Sequence, residues 1–98
     1  MFENIEFTEI GGNDTGKALK LFALTTCGFC KRAVSFLNEN NVSYSMVYID
    51  KLDPQDKQRV KDEFLAKFGQ KMLFPTLVID DSEFLPGFIR LHWEKLIS

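Results

Sequence analysis

Two cysteines separated by two residues are the side chains of this sequence best suited to chemistry. The motif Cys27-Gly28-Phe29-Cys30 contains both cysteines of the chain. A two-residue spacer at a helix start brings two sulfurs within bonding reach. The small ring that their disulfide closes can form and open reversibly. The spacing therefore predicts a redox-active dithiol.

The predicted helix after Cys27 gives the two cysteines different roles. Cys27 falls at its N-terminal edge, where free backbone N–H groups and the helix dipole stabilise a thiolate, the nucleophilic form. Cys30 is predicted to be buried, because it shares an apolar helix face with Ala33, Val34 and Leu37. We expect Cys27 to attack a substrate disulfide and Cys30 to resolve the mixed disulfide. Lys31 and Arg32 either add positive potential near Cys27 or point into solvent.

Metal binding is the main alternative for such a pair. Structural zinc takes four ligands, and His92 is the one further soft donor in the sequence. There is no second pair of cysteines. We therefore predict no metal site within a single chain, and we interpret His92 as a surface or half-buried residue of the last helix.

Composition limits the classes of partner and compartment. The 98 residues are 45% apolar and 27% charged, which is typical of one globular domain. A net charge of −2 without a basic run argues against nucleic-acid binding. No apolar run approaches the roughly 18 residues of a membrane span, and the first residues do not resemble a signal peptide. We expect a cytoplasmic protein, where a cysteine pair is more often catalytic or metal-binding than structural.

Short apolar runs and helical periodicity predict a mixed α/β domain. Asp53-Pro54 marks the start of one helix and Gly69 its end. The predicted buried residues of that helix are Val60, Phe64, Leu65 and Phe68. The other predicted elements are strands over 18–24, 44–49, 75–80 and 83–85, a helix that starts after Cys27 and stops at 38–41, and a last helix from Phe88 with apolar positions at Ile89, Trp93, Leu96 and Ile97.

This order predicts a four-stranded mixed sheet flanked by three helices. The first two strands should be parallel with a right-handed crossover, and the last two should form an antiparallel hairpin. Residues 1–17 are predicted as an extension or an edge strand preceding the domain of residues 18–98. Ile5 and Phe7 alternate with polar residues there, which favours a short extra strand before the break at Gly11-Gly12.

Residues 18–97 resemble the glutaredoxin family, within the thioredoxin fold. The features that carry the resemblance are, in order, Thr25-Thr26-Cys27-Gly28-Phe29-Cys30-Lys31-Arg32, Phe74-Pro75-Thr76 and Pro86-Gly87-Phe88. The resemblance implies a dithiol–disulfide oxidoreductase that reduces protein or small-molecule disulfides, with no tightly bound cofactor.

The resemblance also implies a substrate-binding surface. It implies a cis Phe74–Pro75 bond opposite the cysteines, with the Phe74 backbone pairing with an extended thiol substrate. Thr26, Phe29 and Gly87 would complete this surface. A proline that starts a strand without any role in a site remains the alternative for Pro75.

Departures from the family pattern bear on the electron donor. Leu24 replaces a frequent lysine, Thr26 an aromatic residue, and Gly28-Phe29 a Pro-Tyr pair. Pro86-Gly87-Phe88-Ile89-Arg90 stands where the family carries Gly-Gly followed by an acidic pair that holds the amino end of glutathione. These differences weigh against glutathione as co-substrate and favour a thioredoxin-reductase-type donor, although the sequence leaves both donors open. We expect the protein to be a monomer.

Two other functions remain open at the level of sequence. One is an iron–sulfur cluster carrier, in which two chains share a cluster through Cys27 and an external thiol. The other is a non-catalytic binding module of the same fold.

Overall fold

Five strands form one mixed sheet in a computed structural model that describes residues 1–97, so the last residue of the predicted domain 18–98 lies outside the described part. The spatial order of the strands is β1-β3-β2-β4-β5. Strands β2 and β3 are parallel and β4 and β5 are antiparallel, as predicted. The β1–β3 and β2–β4 pairs are antiparallel as well. The elements are β1 (Thr8–Ile10), β2 (Leu19–Ala23), α1 (Gly28–Glu39), β3 (Tyr44–Tyr48), a 3-10 turn (Ile49–Lys51), α2 (Pro54–Phe68), β4 (Thr76–Ile79), β5 (Glu83–Pro86) and α3 (Arg90–Ile97).

The alternation of side chains along β2 divides the core into two layers. Leu21 faces the layer that contains Leu37 of α1 and Trp93 of α3. Phe22, the next residue, faces the opposite layer, which contains Phe64 of α2. Two helices therefore cover one face of the sheet and one helix covers the other.

Helix α2 begins and ends at the predicted residues. Asp53 Oδ1 accepts a hydrogen bond from the Asp56 backbone N–H at 2.9 Å, which caps the first turn. Gly69 ends the helix in the left-handed conformation at φ 75°, and its N–H donates to the Leu65 carbonyl. The predicted burial of Leu65 is wrong. Its side chain is 45% exposed, because only the Val60 and Phe64 side of the helix meets the sheet.

The extra N-terminal strand is present but begins later than the alternation predicted. Strand β1 starts at Thr8 and pairs antiparallel with β3 at the sheet edge. The preceding residues instead place aromatic rings on β2. The rings of Phe2 and Phe7 lie 4.8 and 5.7 Å from the ring of Phe22. Phe2 is buried and Phe7 half-buried, and residues 2–7 lie outside the sheet.

Strands β4 and β5 form the predicted hairpin. Asp80 and Asp81 both have positive φ values, 53° and 54°, in the tight turn that connects the strands. Helix α3 begins at Arg90, and Ile89 lies just before it. This start is two residues later than the predicted start at Phe88. The Ile89 carbonyl accepts the first helical N–H groups while its side chain is 51% exposed.

Within residues 1–97, none of the helices is both long enough and apolar enough to cross a membrane.

Candidate active site

The cysteine motif lies where the end of β2 meets the start of β4. These strands are antiparallel neighbours, with Phe22 paired to Thr76. The chain leaving β2 toward Cys27 therefore passes the chain entering β4 at Phe74 and Pro75. The sheet register itself brings together two segments that lie 47 residues apart in sequence.

Cys27 is the N-cap of α1. Its backbone is extended, at φ −103° and ψ 117°, and its Sγ accepts a hydrogen bond from the Cys30 N–H at 3.2 Å. The side chain occupies the position where serine or aspartate oxygens usually satisfy free N–H groups of a helix. A thiolate accepts such a bond better than a thiol does. Cys27 is half-buried, so its sulfur remains accessible to a substrate.

Cys30 lies three residues into the helix and points inward. Its side chain is 1% exposed, as the helical periodicity predicted. Burial, followed by a side-chain hydrogen bond with Cys27, raises the pKa of Cys30 from 9.0 to about 12. The negative charges of Cys27 and Asp50 act in the same direction. Cys30 therefore keeps its proton at neutral pH.

The Phe74–Pro75 peptide bond is cis, as the family resemblance implied. The Phe74 carbonyl oxygen lies 3.9 Å from Cys27 Sγ, which acts as the donor when protonated. Pro75 is buried, and its carbonyl accepts the Gly87 N–H at 2.7 Å. The structure thus places the Phe74 carbonyl beside the Cys27 sulfur, and Gly87 is joined to the adjacent Pro75 by a backbone hydrogen bond.

The two other predicted substrate contacts lie on the outer side of the motif. Thr26 is exposed in the loop before Cys27. Phe29 is 57% exposed, with the Arg32 guanidinium 5.2 Å from its ring centroid. Gly87 has φ 68°, and its carbonyl accepts the Trp93 indole N–H at 3.1 Å, which ties this residue to α3.

Asp50 is a residue of the site that sequence reasoning missed. Its two carboxylate oxygens accept the Thr25 N–H at 3.1 and 3.3 Å, and one of them also accepts the Thr25 hydroxyl. The Thr25 hydroxyl bond is the main cause that lowers the pKa of Asp50. Asp50 follows β3, whose carboxyl end meets that of its parallel neighbour β2. The sequence signal for this contact was the predicted parallel pairing of these two strands, together with the short carboxylate side chain that follows the second of them.

The described residues do not assemble a metal centre. Among residues 1–97, no three histidine, cysteine or acidic side chains cluster in a way that could hold an ion. His92 is exposed on α3.

Comparison with known proteins finds matches to glutaredoxins. The family profile described as Glutaredoxin matches residues 19–84. Over 61 residues the chain is 28% identical to glutaredoxin 1 of Rickettsia conorii, a stretch that covers 62% of this chain and 56% of that protein. The match thus spans little more than half the length of that curated relative.

Solved structures agree over a larger share of the fold. The glutaredoxin of Methanosarcina mazei has a TM-score of 0.78 and 26% identity, covering 94% of this chain and 88% of that one. The glutaredoxin of Archaeoglobus fulgidus has a TM-score of 0.71 and 25% identity, covering 81% of this chain and 84% of that one.

Proposed function

The chain belongs to the glutaredoxin family, and from that premise we propose that it is a dithiol–disulfide oxidoreductase in which Cys27 attacks and Cys30 resolves. The observation that carries the proposal is the contrast between the two sulfurs. One caps a helix at the surface, and the other is buried with a raised pKa.

The first step is attack on the substrate. The Cys27 thiolate forms a bond to one sulfur of the substrate disulfide, and the substrate S–S bond breaks. The second substrate sulfur leaves as a thiolate and takes a proton from water. The Cys30 N–H that donates to Cys27 Sγ supports the nucleophile in its anionic form.

The second step resolves the mixed disulfide. The Cys30 thiol loses its proton and attacks the Cys27 sulfur. The Cys27–Cys30 disulfide forms as the bond from Cys27 to the substrate breaks, and the substrate sulfur that was bonded to Cys27 leaves as a thiolate and takes up the proton that Cys30 gave up. The substrate gains two electrons and the protein loses two.

The pKa of Cys30 couples the two steps in time. Two of the causes that raise it, the hydrogen bond with Cys27 and the charge of Cys27, need a free Cys27 sulfur. Once that sulfur is bonded to substrate, both causes weaken and only burial and the Asp50 charge still raise the pKa of Cys30. The resolving thiol thus becomes more acidic when its attack is needed.

We assign substrate contact to the surface beside the sulfur. The Phe74 backbone lies 3.9 Å from Cys27 Sγ and can pair with an extended substrate chain, as the family resemblance implies. We assign Thr26, Phe29 and Gly87 to the same surface, as the family resemblance implies. A protein or small-thiol disulfide would fit this surface.

For reduction of the oxidised form, we propose a thioredoxin-reductase-type dithiol donor. Arg90 is exposed at the start of α3, where the family carries the acidic pair that holds the amino end of glutathione. A cation there repels that ammonium group. The oxidised protein should therefore be reduced faster by a reductase with NADPH than by glutathione, and equal or faster reduction by glutathione would contradict this choice.

Turnover measurements on matched variants test the proposed function. We expect Cys27→Ser to lose disulfide reduction almost completely, because serine supplies no thiolate at neutral pH. Cys30→Ser is the matched control: it should still complete the first step but stall before turnover. Full activity of Cys27→Ser would overturn the proposal. A coloured dimer after anaerobic purification would instead favour a cluster carrier.

A further inference from the structure

A groove between α1 and α3 lies next to the cysteine motif. It has a volume of about 290 Å³, and its lining includes Lys31, Arg32, Phe36, Phe88 and Arg90. The Lys31 N–H donates to the Cys27 carbonyl at 3.1 Å. The two residues are four positions apart, so Lys31 stands one turn from Cys27 on the same side of α1. The groove therefore begins about one helical turn from the reactive cysteine.

The groove is strongly cationic for a chain whose net charge is −2. Three cationic side chains line it, and Glu39 is the carboxylate among its described lining residues. Arg90 also approaches Glu94, but the two atoms lie 4.0 Å apart and both side chains are more than half exposed. A solvated pair of this kind is weak and leaves the guanidinium free to bind another anion.

Aromatic rings hold both arginines in place. The Arg32 guanidinium lies 5.2 Å from the Phe29 ring centroid, and that of Arg90 lies 5.2 Å from Phe36. Phe36 is buried and packs against Phe88 with centroids 5.6 Å apart. A guanidinium stacked on a ring keeps its N–H edges free for bidentate bonds to a carboxylate.

We propose that this groove binds an acidic segment of a protein substrate, next to the disulfide that Cys27 attacks. The inference rests on the proposed function and deepens it by naming the substrate class. Lys31 and Arg32 follow the cysteine motif on α1, and Arg90 is the first residue of α3. Because the groove lies beside the motif and not at the sulfur itself, an anion bound there belongs to substrate residues that flank the disulfide. A volume of about 290 Å³ holds one or two side chains of such a segment, not a whole drug-sized ligand.

Two disulfide-linked peptides that differ only in charge test the inference. One carries two glutamates a few residues from its cysteine, and the other carries glutamines at those positions. For the wild-type protein at low salt, we expect kcat/KM to be about tenfold higher for the acidic peptide than for the neutral one. The ratio should fall toward one at about 0.5 M salt, because salt screens exposed charges.

The Arg32→Gln, Arg90→Gln double variant should lose most of this ratio. Lys67→Gln is the matched control, since Lys67 is exposed on α2 across the sheet and should leave the ratio unchanged. The ratio between peptides cancels any general effect on the reactive sulfur. Thermal unfolding of each variant confirms that it is folded.

The outcomes separate this inference from the proposed function. Equal reduction of both peptides, or a ratio that survives the double variant, would overturn the acidic-segment inference and leave the oxidoreductase intact. Reduction of neither peptide would overturn the proposed function and this inference with it.

Discussion

The buried thiol of Cys30 should resist alkylation in the reduced protein far more than Cys27 does. Iodoacetamide reacts with thiolates, so the rate follows the ionised fraction and the access of the reagent. The pKa of Cys30 is raised from 9.0 to about 12 by burial and by its hydrogen bond with Cys27. Its side chain is also 1% exposed.

The expected size of the effect follows from the pKa. At pH 8 the thiolate fraction falls from about one in ten for a pKa of 9 to about one in ten thousand for a pKa of 12. Ionisation alone thus slows Cys30 about 1000-fold relative to the unfolded chain, and burial slows it further. Cys27, half-buried at the helix start, has no comparable barrier to access.

A short pulse of iodoacetamide followed by digestion and mass spectrometry measures both rates. Trypsin should release residues 21–31 as one peptide, in which fragment ions distinguish modification at Cys27 from modification at Cys30. The chain in denaturant provides the reference, because there both cysteines should react alike. In Cys27→Ser, the pKa of Cys30 should fall but stay raised by burial, so Cys30 should react faster than in the wild type.

Modification of Cys30 within about tenfold of its rate in the unfolded chain would refute this reasoning. So would modification of Cys30 before Cys27. Either result would mean that the buried environment does not hold the Cys30 proton, and the ordered two-step mechanism would lose its physical basis.

Two further predictions concern stability. Leu37→Ala should lower the free energy of unfolding by about 2–5 kcal/mol, because Leu37 is fully buried between α1 and the sheet; a loss below about 1 kcal/mol in urea unfolding would contradict the packing described. The pKa of Asp50 is lowered by its bonds to Thr25, so Asp50 should stabilise the fold above its ordinary pKa of 3.8 and lose that contribution as the pH falls through its lowered pKa. Asp50→Asn should therefore flatten the acid limb of the stability profile, and an unchanged profile would show that the Thr25 contact is not formed in solution.

Local signals predicted the helices well. The Asp53-Pro54 start and the Gly69 end of α2 depend on backbone groups a few residues away, and the structure has both. The inward face of α1 followed from spacing alone, although Phe36 is buried there too and was not predicted. A chemistry-bearing residue on such a helix, here Cys30, is placed correctly because its neighbours fix which side faces the sheet.

Residues whose environment depends on distant segments were predicted less well. The alternation that favoured a strand at Ile5 and Phe7 competes with burial of aromatic rings on Phe22, and the burial decides the structure. Asp50 reaches Thr25 across 25 residues, through the pairing of β2 with β3. No local pattern encodes that contact. The cationic groove likewise depends on α3 packing beside α1.

Trapping of the mixed disulfide tests the central claim most directly. When Cys30→Ser is mixed with a disulfide-linked peptide, we predict one peptide covalently bound per chain, attached at Cys27 and released by a reducing agent. Cys27→Ser treated in the same way should form little or no adduct. A comparable adduct at Cys30 in Cys27→Ser, or none at Cys27 in Cys30→Ser, would contradict the assignment of the attacking sulfur.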